Sequence, residues 1–150
     1  LDLRNNPGGT VGAAQGLLGI WLDNQIAMTE RRGSEIVKTL RTTGTPILGN
    51  MKTVVLINGN SASASEITAG ALREYGKATL VGQKSYGKGS VQIVLGLPGG
   101  SQMKVTEARW YTPKGKNIDK TGIEPDAKVD LSSDDVNNNV DPQMDKAKSL

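Results

Sequence analysis

The sequence contains no cysteine and no histidine. Without histidine there is no Ser-His-Asp triad, and without cysteine there is no thiol nucleophile. Zinc centres built on those residues are excluded, and disulfides are impossible, so the redox compartment stays open. Phenylalanine is also missing, and aromatics make up only 3%. A core drawn from 36% hydrophobic residues must therefore be filled by Leu, Ile, Val, Met and Ala. Neither sign of charge dominates, with 18 basic and 15 acidic side chains scattered along the chain. A nucleic-acid partner calls for a clustered basic face, which this pattern does not offer. No apolar run approaches the roughly 20 residues that span a bilayer. Any catalysis must run on Ser, Thr, Lys, Asp, Glu or Tyr.

At 150 residues the chain is one domain in size. It opens on LDLRNNPGG, already inside a strand-like segment. It therefore reads as a fragment, whose missing leader says nothing about compartment. Asn5-Asn6-Pro7-Gly8-Gly9 is a turn signal, and Thr10 caps a helix with its apolar stripe on Val11, Ala14, Leu18 and Trp21. Ile26–Thr29 and Glu35–Leu40 read as two strands around an Arg32-Gly33 turn. Thr53–Ile57 is a short β-branched run, broken by Asn58-Gly59-Asn60. A helix from Ser63 to Tyr75 follows, with Ala64, Ile67, Ala71 and Tyr75 on one face, then a strand over Ala78–Val81. That is a βαβ unit, and the class is α/β. Val91–Leu95 and Met103–Trp110 are further strands. Ser132–Asn139 reads as a polar loop, ahead of a short helical end at Pro142–Leu150.

Three segments have chemistry to offer. NGNSASASE at 58–66 lies between a strand and a helix, where α/β sheets gather ligands and nucleophiles. Ser63-Ala64-Ser65-Glu66 also fits a plain capping box, in which Ser and Glu satisfy each other's N–H groups. The two roles are compatible, because N–H groups at a helix start can hold an oxyanion. GQKSYGKG at 82–89 resembles a phosphate loop in spacing, but Gly89 stands where Ser or Thr would hold Mg²⁺, and a strand follows instead of a helix. Lys88 can serve as a base only when neutral, and burial is the usual cause. Its flanking glycines leave room to fold the backbone tightly around it. NNPGG at 5–9 is either a bare turn or a source of oxyanion donors.

Taken together, LDLRNNPGG at 1–9, VLINGNSASASEITAGALREYGKATLVG at 55–82, SYGKGSVQ at 85–92 and YTPKGKNIDKTGIEPD at 111–126 resemble the carboxyl-terminal processing (tail-specific) serine proteases. The resemblance implies a ClpP/crotonase-like mixed core with helices on a mainly parallel sheet. It implies Ser63 as nucleophile, Lys88 as general base and Gln92 orienting that lysine. The oxyanion hole would come from the backbone N–H of Ala64 with Gly8 or Gly9. Glu66, Glu74 and Ser85 match supporting positions, Glu74 standing where the family commonly has Asp.

Residues 1–131 would form the protease core and 132–150 a polar loop with a helical tail. The implied activity is endopeptidase cleavage near the C-termini of protein substrates with apolar tails. The implied setting is extracytoplasmic (periplasm, cell envelope or thylakoid lumen), with a PDZ domain upstream and no nucleic acid. No metal or cofactor is called for, and Asp134, Asp135, Asp141 and Asp145 read as a solvated acidic tail. The alternative is a non-catalytic ligand-binding or scaffolding module on the same fold.

Overall fold

Thr53–Ile57 becomes strand β3 because Val55, Leu56 and Ile57 are all buried, leaving no solvent face to alternate toward. The computed structural model describes every residue from Leu1 to Leu150. Before β3 come helix α1 (Val11–Leu18) and strands β1 (Ile26–Arg32) and β2 (Glu35–Arg41). After it come α2 (Ala64–Glu74), β4 (Ala78–Gly82), β5 (Ser90–Gly96), β6 (Gln102–Tyr111), β7 (Ala127–Lys128), α3 (Ser133–Asn137) and α4 (Pro142–Lys148).

β3 and β4 pair in parallel from Thr53↔Ala78 to Ile57↔Gly82, joined through α2 as a βαβ unit. β7 extends the sheet beyond β4. On the open side of β3, Leu3 N–H donates to Leu56 O and Leu56 N–H to Leu1 O, both at 2.9 Å. This leading segment runs parallel to β3. A second, antiparallel sheet has the order β2-β1-β6-β5. It adds to the parallel sheet that the sequence suggests.

The expected one-sided face of α2 is corrected by the fold. Every residue from Ala64 to Leu72 is buried, because α2 touches β4 of one sheet and β1 of the other. A helix enclosed this way needs small residues. At Gly70, a Cβ would already lie 3.3 Å from Ile123 and 3.4 Å from Thr112. Leu18, Met28, Val55, Ile57, Leu72, Leu80, Ile118 and Ile123 fill the core around it. Each large aliphatic side chain contributes about 1.5–3 kcal/mol by leaving water.

The tail is also more ordered than its polarity suggests. Within the expected loop, Ser132 caps α3 and Asp135 returns the bond to the Ser132 N–H. Further on, Gln143 is fully buried and donates to Val129 O (2.8 Å). Arg4 joins this end to the start of the chain, bonding both oxygens of Asp141 (2.9 and 2.8 Å), Gln143 Oε1 and Asp2. Hydrogen bonds from Arg4 hold the carboxyls of Asp2 and Asp141 below their ordinary value of 3.8.

A carboxyl lowered in the folded state adds stability above its unfolded pKa and loses it as pH falls through the folded value. The thermal midpoint of the parent should therefore exceed that of Asp141→Asn at neutral pH. The gap should close as the solution is taken from about pH 4 toward pH 2. Scanning calorimetry across that range checks it.

Candidate active site

Leu1–Leu3, β3 and β4 run parallel, so the loops that follow them emerge at one edge of the sheet. Those loops hold residues 5–9, 58–63 and 83–89. Ligand sites in open α/β sheets form at this edge.

The first two loops are stitched together. Asn58 Oδ1 accepts the Asn5 N–H (2.9 Å), while the Asn58 and Asn60 amides both donate to Asn5 Oδ1. Asn6 O accepts from Ala62 N–H and from the Ser65 hydroxyl, each at 3.1 Å. Gly8 makes the join possible. It sits at φ +98, and a Cβ there would lie 2.6 Å from Ala62 O and 2.9 Å from Ala64 N. Gly9 has open space at the same position.

Of the three serines, two are committed to structure. The Ser61 hydroxyl is fully buried and donates to Leu3 O (2.7 Å), and Ser65 is buried and tied to Asn6. Ser63 differs. It takes φ 55 and ψ −118, a conformation that costs a non-glycine residue of order 1–3 kcal/mol and collects at functional sites. Glu66 Oε2 accepts the Ser63 N–H (2.9 Å), one half of the expected capping box. The Ser63 oxygen stands toward the Glu66 N–H in the other half of the box, and its own O–H donates to no group of the protein. It is the free hydroxyl of the three.

Glu66 ties this corner to the third loop. Its buried carboxyl accepts from Ser63 N–H and Lys88 N–H on Oε2, and from the Ser85 hydroxyl and Gly87 N–H (2.7 Å) on Oε1. The Ser85 oxygen in turn accepts from Ile123 N–H (2.7 Å). Trp110 Nε1 donates to Lys88 O (2.8 Å), and Asp119 Oδ1 accepts from Gly89 N–H (3.2 Å). The lysine's backbone is thus held on both sides.

Its side chain is not buried. Gly87 and Gly89 are buried and pack their backbones against residues 119–122, but the Lys88 side chain stands exposed. The glycines serve a close backbone approach and do not cover the amine.

Ser63, Lys88 and Gln92 line one cavity of about 300 Å³, whose apolar wall is Val11, Met28, Ile67, Val91, Val94 and Trp110. The Gln92 amide donates to Thr106 Oγ1 at 3.4 Å. Gly8 N–H donates to Asn6 Oδ1 (2.9 Å). Glu74 lies at the far end of α2, where it accepts from Thr112 Oγ1 and Lys114 N–H, both at 2.7 Å. It fastens a loop remote from Ser63. No three His, Cys, Asp or Glu side chains gather into a group that would hold a metal ion. No helix is long and apolar enough to cross a membrane.

Sequence reasoning passed over Asn5, Asn6, Asn58, Asn60, Trp110 and Asp119. Asparagine beside glycine reads as a turn, and its use as a stitch between distant loops has no local signature. Gly8→Ala should lower kcat/KM by at least about 100-fold and depress stability by about 1–3 kcal/mol, while Gly9→Ala folds with the parent's thermal midpoint. Steady-state kinetics beside thermal melts distinguish the two.

Residues 1–129 match the model of peptidase family S41. A carboxyl-terminal-processing protease from Picosynechococcus is 44% identical over 129 residues, covering 86% of this chain and 31% of that protein. The structure of the photosystem II D1 C-terminal processing protease superposes with a TM-score of 0.80 at 36% identity, covering 87% of this chain and 34% of the other. The tricorn protease, at 17% identity and a TM-score of 0.65 over 99% of this chain and 14% of that one, shares the fold. The architecture is the ClpP-like one implied by the sequence resemblance. The chain spans about a third of the length of the first two of these relatives. With nearly all of its length inside the family model, and the convergent loops carrying the matched segments, this chain belongs to peptidase family S41.

Proposed function

We propose that this chain is the catalytic core of a serine endopeptidase that cleaves protein substrates near their C-termini through a Ser63–Lys88 acyl-enzyme mechanism. One observation carries the reading. Ser63 alone among the three serines keeps a free hydroxyl, on a strained corner, and it opens into the cavity that Lys88 also lines.

In the forward step Lys88 Nζ takes the Ser63 proton and Oγ attacks the peptide carbonyl carbon. The oxyanion forms against the N–H groups of Ala64 and Gly9, since the Gly8 N–H is engaged by Asn6. The C–N bond breaks as Lys88 returns the proton to the leaving amine. Water then repeats the cycle on the ester and frees Ser63. Gln92 keeps its carbonyl oxygen to orient Lys88, with its amide turned to Thr106. Lys88 must be neutral to begin, and desolvation is what favours a neutral amine. In an exposed position the covering comes with the bound substrate. The apolar cavity accepts an apolar side chain on the acyl side of the bond and brings that cover. The full-length protein adds a PDZ domain and works outside the cytoplasm.

Incubation with a β-lactone, followed by peptide-mapping mass spectrometry, tests the nucleophile. A single adduct on Ser63 is expected. Adducts on Ser61 or Ser65 would move the nucleophile off Ser63, and none at all in a folded protein that also leaves unfolded substrates intact would point to a binding module instead.

A further inference from the structure

A second cavity, of about 700 Å³, adjoins the first at Lys88 and Gln92 but does not include Ser63. Most of its lining residues are polar or charged, with Asn5, Asn60, Tyr86, Asp119 and Lys120 beside Lys88. Acyl transfer from Ser63 with Lys88 as the acid gives each cavity a side of the cut. The acyl carbon is bonded to Ser63 Oγ, so the residue before the cut occupies the apolar cavity. The leaving amine takes its proton from Lys88, so the segment after the cut leads away past Lys88 into the polar one.

The charge of that cleft is one-sided. Asp119 is already engaged by Gly89 N–H (3.2 Å) and lies 3.6 Å from Arg109 Nε. Lys88 and Lys120 have no ion-pair partner in the chain. Lys120 is held in place by its backbone, at φ +60 with its N–H donating to Gly87 O (2.8 Å) in the loop that carries Lys88. A short leaving segment presents one anion that does not depend on its side chains, its terminal carboxylate.

We infer that the polar cleft binds the segment released by the cut, and that Lys120 pairs with the substrate's C-terminal carboxylate when the cut falls a few residues from the end. This rests on the protease reading for its orientation. It assigns to the core itself a means of sensing distance from the chain terminus.

The test uses Ser63→Ala to hold peptides uncut. A fluorescent peptide with an apolar residue followed by a short Ala-rich tail is titrated as free acid and as C-terminal amide. The acid should bind about fivefold more tightly, the worth of a partly exposed ion pair, and the preference should shrink with added salt. It should vanish when Lys120→Gln is added and persist with Lys120→Arg. Lys120→Asn, which tolerates the positive φ, serves if the glutamine variant melts early. Equal binding of acid and amide overturns the proposal. So does a preference that survives Lys120→Gln but is lost with Lys88→Ala, since the carboxylate would then sit on the base. Cleavage by the parent is measured separately. Carboxylate-dependent binding without any cleavage would refute the protease reading and leave the cleft's ligand standing.

Discussion

Ser63→Ala and Lys88→Ala should each lower kcat/KM on an unfolded protein substrate by about four to six orders of magnitude, and the double variant should be no worse. The reason for non-additivity is that neither group has a step to perform without the other. An alcohol without its base is a poor nucleophile, and a base without the alcohol has no proton to take. Lys88→Arg sharpens the result, because guanidinium keeps the charge but does not deprotonate in proteins. It should be as inactive as alanine. None of the three changes removes a buried donor's partner, since the Ser63 O–H has no acceptor in the protein and the Lys88 side chain is exposed. Thermal midpoints should stay within error of the parent. Substantial activity in Lys88→Ala would assign the base elsewhere. The assay uses this chain, with a version extended upstream of Leu1 alongside.

Glu66→Gln should produce the second largest loss, about 100- to 1,000-fold in kcat with a small change in KM. The carboxyl accepts four donors from three places: the Ser63 N–H, the Gly87 and Lys88 N–H groups, and the Ser85 hydroxyl. A glutamine amide offers one acceptor oxygen and turns an NH₂ toward donors. According to its orientation, the amide leaves either the Gly87 N–H or the Ser63 and Lys88 N–H groups without an acceptor, at about 1–3 kcal/mol each. The loops that set Ser63 against Lys88 then lose their common anchor, and small misplacements of reacting groups cost rate steeply. Ser85→Ala removes one donor and leaves the carboxyl's bonds to both loops intact, so its loss should be nearer tenfold.

A purely structural role for Glu66 predicts something different. Activity would then track the folded fraction, and the rate of β-lactone acylation at Ser63 per folded molecule would be unchanged. A fall in that rate in folded Glu66→Gln identifies positioning. An unchanged rate removes Glu66 from the site's machinery.

The strands and helices were legible where local pattern and burial agree. Thr53–Ile57 and Ala78–Val81 are short, β-branched and apolar, and they are strands because both of their faces are covered. The absence of histidine and cysteine narrowed the chemistry to Ser, Thr, Lys, Asp, Glu or Tyr before any geometry was known. The SASAS and GKG segments marked where to look. Periodicity fell short for α2, where Ala64, Ile67, Ala71 and Tyr75 read as a single apolar face. It is enclosed by two sheets, and only the second sheet's position decides that. It failed also at Ser132–Asn139, where composition suggested a loop and a reciprocal cap made a helix turn.

The sequence by itself determined the catalytic repertoire, the βαβ frame and the three loops in which reactive residues lie. These follow from residue type and nearest neighbours, which act over a few positions. The tertiary structure alone decided which serine is free, because Ser61 and Ser65 are taken by carbonyls from residues 3 and 6, nearly sixty positions away. It decided that Glu66 bridges loops more than twenty residues apart, and that Lys88 stands in the open between two cavities, one lined by more aliphatic side chains than the other. Hydrogen bonds and desolvation depend on distance in space, and a chain acquires those distances only by folding.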